Sequence, residues 1–224
     1  MDQSVTSTQR TPDTSTGLIL ILSGLASVTA VAHHPVIKAQ RPDDLFAQLR
    51  ESAFADRVVH GAIVVCSIAV LYALFRFAQR LGTQRATVLL GLLSYNLGTA
   101  MMINAALIDG FVAPEIGSSF LQAPSNVADG GIALLKLCSI AIQVFTKTGV
   151  IAIAVAILLW SARLVRTGRG PLLAAVVGVA VVLVQLSVLT WGGPTITAHT
   201  ILPIVVAMAV WYFTIGLLLM ARLT

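Results

Sequence analysis

Charge is what this chain has least of: Lys, Arg, Asp and Glu make up only 10% of its 224 residues, against about a quarter in an ordinary soluble domain. With 57% of the residues hydrophobic, disorder is excluded, because a disordered chain must be too polar to collapse. Cysteine is nearly absent as well. Cys66 and Cys138 both lie inside apolar runs, which excludes a disulfide framework. There is no glycine period for a collagen helix and no strict apolar–polar alternation for a membrane barrel. The 14 basic residues outnumber nine acidic ones, but the excess is strung along the connections between apolar segments. No nucleic-acid partner is expected from it, and its meaning is topological.

What is there is length of apolar run. A bilayer core about 30 Å thick takes roughly 20 helical residues, and six segments meet or approach this, at about 17–36, 57–79, 86–109, 133–160, 171–191 and 198–221. Helix-breaking chemistry separates them: Pro35 and Pro42, Gly82, Gly110 with Pro114, Pro124 to Gly131, Pro171, and Gly192-Gly193-Pro194. The expected architecture is an all-α, polytopic membrane bundle of six transmembrane helices. Residues 1–16 form a polar tail and 17–224 a single domain in contact with the lipid bilayer.

Arg76, Arg80 and Arg85 cluster at the end of the second span and Arg163, Arg166 and Arg169 follow the fourth, with no acid among them, and Arg222 lies near the end of the chain. The positive-inside rule makes that face cytoplasmic. Both termini then lie inside. Seven of the nine acids, Asp43, Asp44, Glu51, Asp56, Asp109, Glu115 and Asp129, fall on the outer face. Trp160 and Trp191 fall at opposite span ends, as aromatic belts require. The Ala, Val, Leu and Arg richness and the general look are those of a bacterial inner-membrane protein. Ala30-Val31-Ala32 is a small-x-small pattern that a signal peptidase could cut before His33, but the single Arg10 against Asp2 and Asp13 makes a poor leader.

Residues 43–56 read as a short amphipathic helix lying on the outer surface between spans one and two, capped by Asp43 or Asp44. Residues 110–131, rich in Gly, Pro, Ser and Asn, read as a long outer loop. Gly91, Gly98 and Gly178 read as close-packing positions between helices.

All four histidines, His33, His34, His60 and His199, map to the outer ends of spans one, two and six. Asp109 and Asp56 share their depth. Imidazole with carboxylate suits copper, zinc or iron, so His33, His34, His60, Asp109 and His199 are the candidate metal ligands, with the 110–131 loop as a roof. His60 and His199 are the candidate axial pair for a haem. His33 and His34 cannot both point inward, being about 100° apart on a helix. The bland alternative is that His caps helices and meets headgroups at span ends. A proton relay is a third reading, since imidazole titrates near neutrality.

On the fourth span Lys136, Ser139, Gln143 and Lys147 share one helical face. A lysine at the depth of Lys147 is costly in hydrocarbon and marks a lined cavity or pathway unless it snorkels. Asn104, Gln143 and Lys147 are thus a candidate polar cavity. Lys136 reads as a surface residue. The functional readings left open are a membrane oxidoreductase or lipid-phase enzyme carrying a transition metal or haem, a small solute or proton-coupled transporter using Lys147 and Gln143, and a non-catalytic subunit. A small-molecule or lipid ligand is expected for the first two.

Overall fold

A computed structural model describes residues 12–37, 39, 41–166, 168–193 and 195–221. The described chain is helical, with no strand among the described residues. In order it forms α1 (Thr14–Ala32), α2 (Pro42–Leu81), α3 (Ala86–Leu107), a π-turn (Ile108–Val112), α4 (Ala113–Phe120), α5 (Ser125–Leu164), α6 (Arg169–Trp191) and α7 (Ala198–Met220). Six helices are long and apolar enough to cross a membrane, which makes this a multi-pass membrane protein in contact with lipid. Most of the tail at 1–16, Lys38 and Arg222 lie outside the described residues.

The six long helices pack as a closed ring in chain order, each against its sequence neighbours, with α7 returning to α1. Small residues let the backbones approach. A Cβ on Gly98 would sit 2.8 Å from the Gly149 carbonyl oxygen, and one on Gly149 3.0 Å from that of Gly98, on the α3–α5 seam. Gly17 and Gly216 do the same between α1 and α7. Gly91 and Gly178 face Trp160 and Ser161 respectively, so the close-packing reading holds at all three positions.

Two expectations fail by continuity of helix. The segment 43–56 is no separate surface helix: α2 runs unbroken for 40 residues, about 60 Å at 1.5 Å per residue and twice the hydrocarbon thickness. Its N-cap is Arg41, with Pro42 supplying the first helical turn, and Asp44 pairs with Arg41 at 2.8 Å instead of capping. The stretch 110–131 is no loop either. It is the π-turn, α4 and the start of α5, broken only around 121–124. Pro114 stands at the beginning of α4, where its missing N–H costs nothing. Both segments are helical because they pack on each other: Phe46 is buried and stacks on Phe120, while Gly117 seats on Leu49. α2, α4 and α5 thereby build a helical extension at one end of the ring.

At the other end the ring is plugged. Phe77, Tyr95, Trp160, Trp211 and Tyr212 form one aromatic cluster, and the Trp160 indole N–H donates to the Val88 carbonyl at 3.2 Å. Trp160 is 0% exposed, so it is core and no belt residue. Its position near a span end did not reveal that it points inward. Trp191, 83% exposed, lies on the periphery.

The plugged end carries the arginines. The Asp13 carboxylate caps α1 through the Thr16 amide and pairs with Arg76 at 3.4 Å and Arg80 at 3.7 Å. Its own N–H donates to Leu219 at the end of α7, so the first and last described residues share this end. Burial alone would raise the Asp13 pKa, but the Thr16 hydrogen bonds and the two guanidiniums outweigh it and hold the carboxyl below its ordinary value. A folded pKa below the unfolded one means that the stabilisation is complete above about pH 4 and is lost as pH falls through the folded value. Asp13→Asn keeps the cap and removes the charge. The melting-temperature gap between wild type and this variant is expected to be present at pH 7 and to close toward pH 3 in detergent; a gap independent of pH would refute the ion-pair account.

Candidate metal centre

The histidine end of the ring is open, and three side chains converge there from three elements. His34 follows the end of α1, where its Nδ1–H donates to the Pro35 carbonyl at 2.6 Å. His60 lies 18 residues into α2, is 3% exposed, and its Nδ1–H donates to the Asp56 carbonyl one turn back at 2.8 Å. Asp109 projects from the π-turn. His34 Nε2 and His60 Nε2 are 3.3 Å apart, His60 Nε2 is 3.3 Å from Asp109 Oδ2, and His34 Nε2 is 3.5 Å from the same oxygen.

Those hydrogen bonds assign the ring protons. A neutral imidazole has one N–H, and in both rings a carbonyl acceptor at Nδ1 claims it. Each Nε2 is then a bare lone pair. Three lone-pair atoms facing one another at van der Waals distance or less repel, unless a cation lies among them. Two cations fit: protons on the histidines, or a metal ion. Nε2 ligation with the opposite nitrogen anchored to a carbonyl is the usual arrangement of a metal-bound histidine. Ligands about 2.0–2.1 Å from a tetrahedral metal are spaced roughly 3.3–3.4 Å from one another, which matches the three separations here. Asp56 adds a carboxylate one turn before His60. It accepts from the Ser52 hydroxyl at 2.8 Å, and with His34 and His60 it forms a group whose ligand atoms lie within 4.8 Å of one another, able to hold a metal ion. The Asp109 hydrogen bond raises the His34 pKa above its ordinary value, against the opposing effect of burial.

The backbone is shaped for this contact. The π-turn widens the helix at Ile108–Val112, a local distortion common at functional positions. It brings Gly110 so close to α2 that any Cβ there would collide with the Cβ and ring of His60. Glycine at 110 is therefore a packing requirement of His60. The sequence signal was available, a lone Gly after an Asp, but it read as the end of a helix.

Two of the expected ligands are elsewhere. His33 is exposed and bonds through Nδ1 to the Thr29 carbonyl; α1 ends before it, so His33 and His34 diverge. His199, at the start of α7, is exposed and does not line the cavity described below. The haem pair of His60 and His199 is accordingly not assembled. Nor would His34 and His60 serve as axial ligands, because these face each other across an iron at about 4 Å and their nitrogens are 3.3 Å apart.

A cavity of about 650 Å³ passes the triad and runs down inside the ring, lined by α1, α2, α3, α5 and α7, and it reaches outward to Leu45 and Leu49 of α2 and Ala113 of α4. Its floor is the hydrogen-bonded hydroxyl pair of Tyr95 and Tyr212. Of the three residues expected in a polar cavity only Gln143 lines it. Lys147 is half-buried off the cavity wall, and Asn104 is exposed, its amide donating to the Ala100 carbonyl of its own helix. Lys136 is exposed, as expected of a surface residue, and also contributes to the cavity lining.

Gln143 is a latch. Its Nε2 donates to the Ile196 carbonyl at 2.8 Å and its Oε1 accepts from the Ile196 amide at 2.7 Å, pinning the α6–α7 connection to α5. Ile196 and Thr197 in turn form part of the cavity wall. Gln143→Ala leaves two backbone groups unpaired, at about 1–3 kcal/mol each if they stay buried. It is expected to lower the melting temperature and expose Gly192-Gly193 to protease; an unchanged cleavage rate would remove the latch.

Compared with known proteins, the chain matches no protein family, no curated protein and no solved structure.

Proposed function

We propose that this is an integral-membrane metalloprotein holding one divalent ion, zinc by preference, between His34, His60 and Asp109, with Asp56 beside it. The observation that carries the reading is the set of three lone-pair atoms 3.3, 3.3 and 3.5 Å apart, both imidazoles being tautomerically fixed by carbonyls. Two nitrogens and a carboxylate oxygen suit zinc, and copper gains no soft ligand here. Met102 lines the cavity but is seven residues before Asp109, about 10 Å along the helix.

Three protein ligands would leave a coordination position for water, and zinc bound there would supply Lewis acidity. That chemistry beside an apolar cavity supports a hydrolytic enzyme acting in the lipid phase. α1 is 19 residues long, about 28 Å, so His34 just past its end stands at the level of one membrane face. The arginines at the opposite end favour a histidine face turned outward and both termini in the cytoplasm, by the positive-inside rule. In a bacterial inner membrane the site would face the periplasm. The transporter reading loses support with Lys147 and Asn104 away from the cavity.

The test is elemental analysis with an absorption spectrum on protein purified in mild detergent without chelator. About one zinc per chain and no Soret band is the expected result. Protein that arrives metal-free and takes up none on titration with zinc would overturn the proposal and leave the paired histidines as a proton site.

A further inference from the structure

The cavity below the triad has a length, a lining and a charge that together define a ligand class. Inward of the triad it runs from Asp109 of the π-turn to Tyr95 of α3, 14 residues apart and hence about 21 Å of helix, and outward it continues to Leu45 and Leu49. One leaflet of hydrocarbon is about 15 Å deep, so the shaft has room for a long acyl chain at full extension. Its wall is mostly apolar, with Ile63, Val70, Ile142, Val205 and Met208 along it. The whole cavity, about 650 Å³ including the part outward of the triad, accommodates roughly twenty methylene-sized groups, taking the ~30 Å³ that a water molecule occupies in the liquid as the unit. That is one chain and not two.

The charge sits at one level. Gly98 lies against Gly149 on the antiparallel α3–α5 seam, and counting outward from that contact puts Lys136 within about 3 Å of the level of Asp109 along the bundle. Lys136, an exposed residue, contributes to the cavity lining from α5 and makes no ion pair among the described residues. A lysine ammonium at this level of an otherwise apolar cavity, beside a cluster that itself takes a cation, is complementary to an anion. Of the two carboxylates there, Asp109 lies within 3.5 Å of both histidines and Asp56 accepts from the Ser52 hydroxyl.

We propose that the cavity binds a single-chain amphiphile with an anionic headgroup, a carboxylate or a phosphate, its tail reaching down to the Tyr95–Tyr212 pair and its headgroup lying between Lys136 and the triad. The headgroup's contact with the triad rests on the metal reading. The tail compartment and Lys136 do not depend on it.

Full-length protein in maltoside detergent is titrated with radiolabelled palmitate, with methyl palmitate and lysophosphatidate as competitors and zinc measured on the same samples. Saturable binding near one palmitate per chain is expected, with methyl palmitate about tenfold weaker, the worth of one charged hydrogen bond. Competition by lysophosphatidate stronger than by unlabelled palmitate identifies phosphate as the preferred headgroup, and the reverse identifies carboxylate. Lys136→Gln is expected to weaken palmitate about tenfold and leave methyl palmitate unchanged. Ser67→Trp, which fills the shaft from α2, should abolish binding of both with zinc retained; Ser139→Trp does the same from α5 should the first variant not fold. Equal affinity for palmitate and its methyl ester, or binding that survives both tryptophans, overturns the proposal. Palmitate binding by wild-type protein that takes up no zinc on titration sinks the metal reading alone, whereas zinc bound without palmitate binding sinks the ligand alone.

Discussion

His34→Ala combined with His60→Ala is expected to reduce bound zinc from about one per chain to none, with the six-helix ring intact. Removing a single supporting hydrogen bond from a metal ligand typically costs 10–100-fold in affinity, and removing a ligand costs more, so each single variant is expected to lose at least about 100-fold. The ring survives because the His60 environment lies at its open end, far from the aromatic plug of Phe77, Tyr95, Trp160 and Trp211. The affinity is also pH-dependent with a defined sign. Zinc takes the neutral imidazole, so protonation competes; because Asp109 raises the His34 pKa, release on acidification should begin above the ordinary histidine value of about 6.5. Competition titration against a chromophoric chelator measures both effects. Zinc content equal in the wild type and the double variant would place the metal elsewhere, and affinity flat from pH 8 to pH 6 would remove His34 from the ligand set.

Gly110→Ala is expected to empty the same site without touching a ligand. The added methyl would overlap the Cβ and ring of His60, and the Cβ, fixed to the backbone of α2, cannot swing aside. Overpacking of this kind costs about 1–3 kcal/mol or more, and the cheapest relief is for the π-turn to move away from α2, carrying Asp109 with it. A shift of about 1 Å breaks a ligand set that tolerates only a few tenths of an ångström. Gly61→Ala is the control: it is the residue next to His60, and a Cβ there meets only the Phe111 ring at 4.0 Å. Zinc retained in the Gly61 variant and lost in the Gly110 variant is the expected pair of results. Zinc retained in both would mean that the π-turn does not position Asp109.

The six spans were legible because hydropathy is a local property: 20 apolar residues in a row have few alternatives to a membrane helix, whatever surrounds them. The close-packing glycines were legible for a related reason, since small residues in apolar helices have little other use. Helix extent beyond the membrane was not legible. Residues 43–56 and 110–120 carry Gly, Pro and charge that propensity reads as surface helix and loop, and only the stacking of Phe46 on Phe120 and of Gly117 on Leu49 makes them helical together.

For the site, sequence determined depth and tertiary structure determined direction. Counting residues along spans places His33, His34, His60, His199, Asp56 and Asp109 at one level, because the rise of a helix is constant. It cannot say which way each side chain points around its helix, where α1 stops, or that a π-turn swings Asp109 across. The structure selected His34, His60 and Asp109, left His33 and His199 exposed, turned Gln143 from a cavity ligand into a backbone latch, and brought Lys136 to the cavity wall in place of Lys147. Level is set by covalent geometry within one helix, and facing is set by contacts between helices distant in the chain; the second kind of information is what decides whether a row of polar residues becomes a site.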